Sequence, residues 1–140
     1  MRMEIRSDRD LFQVRVALVR AFLVERGLDG VLLTRADNFA MATGGRRNYI
    51  WTYTDAGANA LFVHRDGRVF FVGDTIEKPR IMAEELAGFG CDAVDYLWFA
   101  SHPAEAVGRA FAGAIASDDG SIGPNVHGEL AVLRALLTPM

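Results

Sequence analysis

Between residues 8 and 26, apolar positions recur at helical spacing. Leu11, Leu18 and Phe22 make one stripe, and Phe12, Val16, Val19 and Leu23 make the stripe beside it. The pattern predicts an amphipathic helix whose broad apolar arc suits a sheet. Ser7 or Asp8 is placed to accept from the free N–H groups of its first turn, and Gly27 to adopt the left-handed conformation just past its end. Beyond Gly30 the pattern becomes the continuous run Val31-Leu32-Leu33-Thr34, as a central strand covered on both faces requires. Residues 37–43 read as about one helical turn, capped by Asp37 or Asn38 and ended by Gly44.

Further on, Tyr49, Trp51 and Tyr53 alternate with Ile50, Thr52 and Thr54, which fits a strand or an extended loop equally well. Residues 60–64 and 69–72 are apolar runs flanking Arg65-Asp66-Gly67-Arg68. Asp66-Gly67 signals a two-residue hairpin turn with positive φ at both positions. A second helix is expected over 76–88 with Pro79 in its first turn, followed by a strand at 93–96. A third helix opens at Pro103, with Ser101 or His102 as cap and Val107, Phe111, Ala114 and Ile115 as its buried face. Asp118-Asp119-Gly120 reads as a turn and Ser121-Ile122-Gly123 as a very short strand. Asn125 caps a last helix presenting Leu130, Leu133 and Leu137. Helices alternating with strands predict an α/β fold, a mixed sheet of five to six strands with helices on both faces.

The 140 residues suffice for one domain with a real core, and 51% hydrophobic with 24% charged residues excludes wholesale disorder. A net charge of −3 gives no general drive toward nucleic acid or an anionic membrane. Cys91 is the only cysteine, so neither an internal disulfide nor a thiolate zinc cluster can be built, consistent with a reducing cytosol. The charged N-terminus lacks the apolar core of a signal peptide. The most apolar segment, residues 11–24, is broken by Gln13, Arg15 and Arg20 and falls short of the ~20 residues that span a bilayer. The expectation is a cytoplasmic domain with no membrane and no nucleic-acid partner.

Chemistry is sparse. His64, His102 and His127 form no metal-binding pair, and His127-Gly128-Glu129 lacks the Pro-Cys-x-x-Cys half of the zinc deaminase signature. Gly88-Phe89-Gly90 precedes a strand and reads as a helix stop. Gly44-Gly45-Arg46-Arg47 lacks the spacing and lysine of a P-loop. No serine lies in a G-x-S-x-G turn, and Glu84-Glu85 and Asp118-Asp119 read as solvated surface. No catalytic residue and no metal ligand is assigned. The remaining cluster is Arg46, Arg47, Tyr49, Trp51 and Tyr53, residue types that binding surfaces use for contact area and planar donors. A packed strand, a protein interface, a pocket wall and single-strand stacking stay open for it.

The helix of residues 15–26, the turn Gly27-Leu28-Asp29-Gly30, the strand Val31-Leu32-Leu33-Thr34 and the segment Asp37-Asn38-Phe39-Ala40-Met41-Ala42-Thr43-Gly44 together resemble the N-terminal domain of the creatinase/prolidase/aminopeptidase P metallohydrolases. That family's pattern is an Arg-bearing helix, G-(L/I)-D-(A/G), an apolar strand, then E-N-(I/V)-x-Y-L-T-G. Its hairpin resembles residues 60–72, its next helix residues 77–86, and its late I-G strand Ile122-Gly123. Ala40, Met41 and Ala42 depart from the pattern. The resemblance implies a ribonuclease H-like motif spanning 1–140 as a single non-catalytic domain, with the "pita-bread" catalytic domain absent from this chain. In that missing domain two divalent metals (Mn, Co or Zn) would be held, and C–N bonds such as Xaa-Pro hydrolysed; no cofactor is implied for the present residues. It also implies a homodimer, in which the loop after Thr43-Gly44 contacts the catalytic domain of the same or the partner subunit. The alternative is a peptide- or protein-binding module, stand-alone or attached to a pseudo-enzyme.

Overall fold

The computed structural model describes residues 8–43, 56–74, 79, 82–83, 86, 90–96 and 101–137. Helix α1 (Asp8–Arg26) leads through Gly27 into strand β1 (Gly30–Arg35), which passes directly into α2 (Ala36–Thr43). Strands β2 (Ala56–His64) and β3 (Val69–Asp74) form the hairpin. They are followed by β4 (Asp92–Tyr96), α3 (Pro103–Ala110), β5 (Ile115–Ser117) and α4 (Ala131–Leu137). The sheet has five strands in the order β4-β3-β2-β1-β5. The β1/β2 and β2/β3 pairs are antiparallel, and the outer pairs β1/β5 and β3/β4 are parallel. The predicted mixed sheet is therefore present.

Strand alternation splits the core into two layers. Val31, Leu33, Leu61, Val63, Val69 and Phe71 face α1 and α2, joined by Phe12, Val16, Val19, Phe22 and Leu23. Leu32, Ala60, Phe62, Phe70 and Val72 face the opposite way, onto Ala104, Ala106 and Val107 of α3. β1 is buried from Gly30 to Thr34, as its unbroken apolar run requires. Of the expected α1 stripes, the one through Phe12, Val16, Val19 and Leu23 is buried, whereas Leu18 is exposed.

Several local expectations are corrected. The hairpin turn has no positive φ at Asp66; only Gly67 does, at +99°. Gly67 N–H donates to the His64 carbonyl (3.0 Å), and His64 N–H to the Arg68 carbonyl (2.9 Å). This is a three-residue loop closed by a glycine bulge rather than a two-residue turn. Helix α3 stops at Ala110, where Phe111 is extended, so Ala114 and Ile115 do not belong to its buried face. Gly113 at φ +110° reverses the chain, and Ile115 pairs with Gly30 in β5. Ser121-Ile122-Gly123, expected as a strand, is a run of bends. The ladder position beside β1 is already taken by residues 115–117.

His102 occupies the N-cap of α3 without a side-chain bond. Asn125 does not cap a helix: its side chain accepts from His127 N–H (3.0 Å), and α4 starts only at Ala131. Nor does Asn38 cap α2, which begins at Ala36; its side chain is spent elsewhere. The readings for residues 1–7, the helix over 76–88 (apart from Pro79, Met82, Ala83 and Leu86) and the alternation over 48–54 lie outside the described residues.

Candidate functional site

The polar groups of the fold converge where the parallel strands β1 and β5 end. Pairing between them stops at Leu32↔Ser117, yet β1 runs on to Arg35. Beyond that point Asp118, next after β5, meets the N–H groups of Thr34 and Arg35 with its carboxylate. It accepts from Thr34 N–H (2.9 Å), the Thr34 hydroxyl (2.7 Å), Arg35 N–H (2.8 Å) and the Asn38 amide (3.0 Å). Asp118 is 1% exposed, which overturns its expected place on a solvated surface. A carboxylate can be buried when its lone pairs are met in this way.

Asn38 is fully buried and is the hub of the cluster. Its nitrogen faces the acceptor-only Asp118, and its oxygen accepts from Arg134 Nη1 (2.9 Å), which settles the orientation of the amide. His127 Nδ1 meets two donors, Asn38 Nδ2 at 2.9 Å and Arg134 Nη1 at 3.2 Å, so it is the accepting nitrogen. Nε2 of the same ring is 4.0 Å from Asp37 Oδ2. Beside them, burial raises the Asp119 pKa, but hydrogen bonds, those from the Ser121 hydroxyl and N–H first, outweigh it and leave the carboxyl below its ordinary value. This assembly is a joint. Each inward-facing group is committed to another, and together they tie β1, α2, the 118–127 segment and α4.

At the opposite end of β1, Asp29 and Gly30 have comparable structural duties. Asp29 N–H donates to the Ala114 carbonyl (2.7 Å), and its carboxylate accepts from Ala114 N–H (2.8 Å). A Cβ on Gly30 would lie 2.3 Å from Phe62 Cζ. The glycine and aspartate of the Gly27-Leu28-Asp29-Gly30 turn are thus packing requirements.

Among the described residues no three His, Cys, Asp or Glu side chains are grouped to hold a metal. Asp118 and His127, both in the joint, do not fit a metal donor set, because their inward lone pairs already accept hydrogen bonds. No helix among the described residues is long and apolar enough to cross a membrane. A cleft of about 370 Å³ lies between α1 and the hairpin, lined by Phe12, Val16, Arg20, Gly67 and Asp92 among others. Asp92 is in register with Phe70, which belongs to the opposite face. The cationic side chains of the cleft lining are engaged: Arg20 Nε donates to the Arg65 carbonyl (2.9 Å) and Arg68 Nε to Asp66 Oδ2 (2.7 Å). It is a groove without a constellation.

Cys91 is no nucleophile either. Burial, then the neighbouring Asp92 charge, pushes its pKa up to about 12. At pH 8 the thiolate is on the order of one part in ten thousand, so a disulfide reagent should react with the folded chain about a thousandfold more slowly than with the chain unfolded in guanidinium. Equal rates would contradict this burial. The expected contact residues Arg46, Arg47, Tyr49, Trp51 and Tyr53 lie outside the described residues; their segment leaves from the end of α2 and returns at the start of β2, where Ala56 pairs with Arg35.

The sequence matches no family model and no curated protein. Solved structures do match. The creatinase/prolidase-like N-terminal domain of a Corynebacterium diphtheriae protein aligns over 91% of this chain and 89% of its own length, with 11% identity and a TM-score of 0.56. The creatinase/prolidase N-terminal domain of an X-Pro dipeptidase from Streptococcus pyogenes aligns over 86% and 88%, with 14% identity and a TM-score of 0.54. Dipeptidase PepE from Mycobacterium ulcerans aligns over 97% of this chain at 20% identity and a TM-score of 0.61, and there the chain spans only 36% of the protein. The five-stranded mixed sheet and its covering helices are those of a creatinase/prolidase N-terminal domain.

Proposed function

We propose that this chain is the non-catalytic N-terminal domain of a creatinase/Xaa-Pro peptidase-like metallohydrolase, contributing to dimerisation and to shaping access to an active site on another domain. The supporting observation is the near end-to-end match to the N-terminal domain of an X-Pro dipeptidase, 86% of this chain against 88% of that one. A wall beside a hydrolytic site selects substrates by excluding bulk. In this reading the two divalent ions, Mn, Co or Zn, belong to the catalytic domain, and the described residues do not fit them. Arg46, Arg47, Tyr49, Trp51 and Tyr53 are the proposed contact with the catalytic domain of the same or the partner subunit.

The test is the protein encoded by the full reading frame, purified and loaded with Mn²⁺, Co²⁺ or Zn²⁺ in turn. Hydrolysis of Xaa-Pro dipeptides, lost when the frame is cut at Met140, is the expected result. A longer protein lacking the metal ligands and retaining only peptide binding would select the binding-module reading. In the same protein Trp51→Ala should weaken self-association in sedimentation by about tenfold or more, as interface aromatics do, with the melting temperature unchanged. A lowered melting temperature with association intact would return the aromatic cluster to the core.

A further inference from the structure

Arg15 lies inside the buried arc of α1, between Phe12 and Val16, and only 5% of its surface is exposed. A guanidinium in such a place ordinarily has a carboxylate beside it. Here Nη1 donates instead to two main-chain carbonyls, those of Met41 and Leu137, both at 2.6 Å. Both belong to the last turns of short helices, where carbonyls have no partner within the helix. Helix α2 has no basic residue of its own in that turn. Each helix C-terminus carries roughly half a negative charge, so two of them together balance one guanidinium. Burial lowers the Arg15 pKa, but a guanidinium remains charged at any pH the fold survives.

We propose that Arg15 is a positioning residue, a cap supplied by α1 that couples the C-terminal ends of α2 and α4. The two ends are the points where the chain departs, after Thr43 toward Arg46 to Tyr53 and after Leu137 toward residue 140. A disturbance at one end reaches the other through a single shared donor, and by linkage the coupling is reciprocal. This inference concerns the 140-residue chain itself and does not depend on the hydrolase reading.

Hydrogen exchange on the intact chain tests it. Arg15→Met keeps the apolar stem and removes the donors. Exchange in the last turns of both α2 and α4 should rise roughly tenfold or more relative to the β2–β3 hairpin, because charge-assisted bonds are lost at both. Arg15→Lys, which keeps a charged donor, should recover much of that protection. Leu136 is 69% exposed, so Leu136→Gly loosens the end of α4 with little effect on the core. It should raise exchange in the last turn of α2 severalfold when Arg15 is present, and add nothing there in the Arg15→Met background. Exchange at the end of α2 that ignores Leu136→Gly overturns the proposal. So does an Arg15→Met effect spread evenly over the hairpin and both helices.

Discussion

Replacing Asp118 with alanine should destabilise the folded chain by about 3–5 kcal/mol, lowering its melting temperature by roughly ten degrees or more. The size follows from what the side chain leaves behind. Thr34 N–H, Arg35 N–H and one donor of the Asn38 amide lose this acceptor, while the Thr34 hydroxyl can turn to Asp119 Oδ2 at 3.1 Å. A buried donor without an acceptor costs about 1–3 kcal/mol, and water entering the vacated space offsets part of the sum. Asp118→Asn should fall between, at about 1–3 kcal/mol, because the amide retains one acceptor oxygen but turns an NH₂ toward groups that are themselves donors. Thermal and urea unfolding of both variants would check the order. An Asp118→Ala protein that melts with the parent would mean that the carboxylate is not the acceptor joining β1 to α2.

The second large effect is expected at Gly123. Its φ is +60°, and a Cβ there would lie 1.8 Å from the Ile115 carbonyl oxygen and 2.9 Å from its carbon. The left-handed conformation alone costs an alanine about 1–2 kcal/mol. The overlap adds more, because the obstructing atoms are the backbone of β5 and cannot turn aside as a side chain can. Gly123→Ala should therefore cost about 3–4 kcal/mol. Gly120 is the control: it also has positive φ, +77°, but the nearest atom to its Cβ would be 3.8 Å away. Gly120→Ala should show only the conformational cost of about 1–2 kcal/mol. Equal losses at the two positions in urea unfolding would refute the close approach of the 123 turn to β5.

These two residues also mark where reading the chain residue by residue stops. Elements set by local periodicity are legible in the order of residues alone. Helix α1 begins and ends as its stripes predict, β1 is buried along its apolar run, and the hairpin falls on residues 56–74 around Gly67. The ordered pieces, the stretch from Asp29 to Gly45 above all, point to the fold that the solved structures share. Periodicity misleads where two structures satisfy the same spacing. Phe111 and Ile115 are four apart, as on a helix face, yet Gly113 breaks the helix and Ile115 finds a place in the sheet beside Gly30.

The joint at the ends of β1 and β5 has no local signal at all. An Asp-Asp-Gly triplet is ordinarily an exposed turn, and nothing near Asp118 in the chain announces donors 80 to 84 residues earlier. Arg15 is visible in the sequence as an interruption in an apolar segment and as the first residue of the Arg-bearing helix of the resemblance. Its meaning depends on carbonyls 26 and 122 residues away. Side-chain periodicity and glycine placement are properties of short windows, so the sequence by itself determined α1, β1, the hairpin strands and the family likeness. Which buried charges are tolerated, and what they hold together, was decided only by the tertiary structure. A charge's cost depends on the donors and dipoles that folding brings around it.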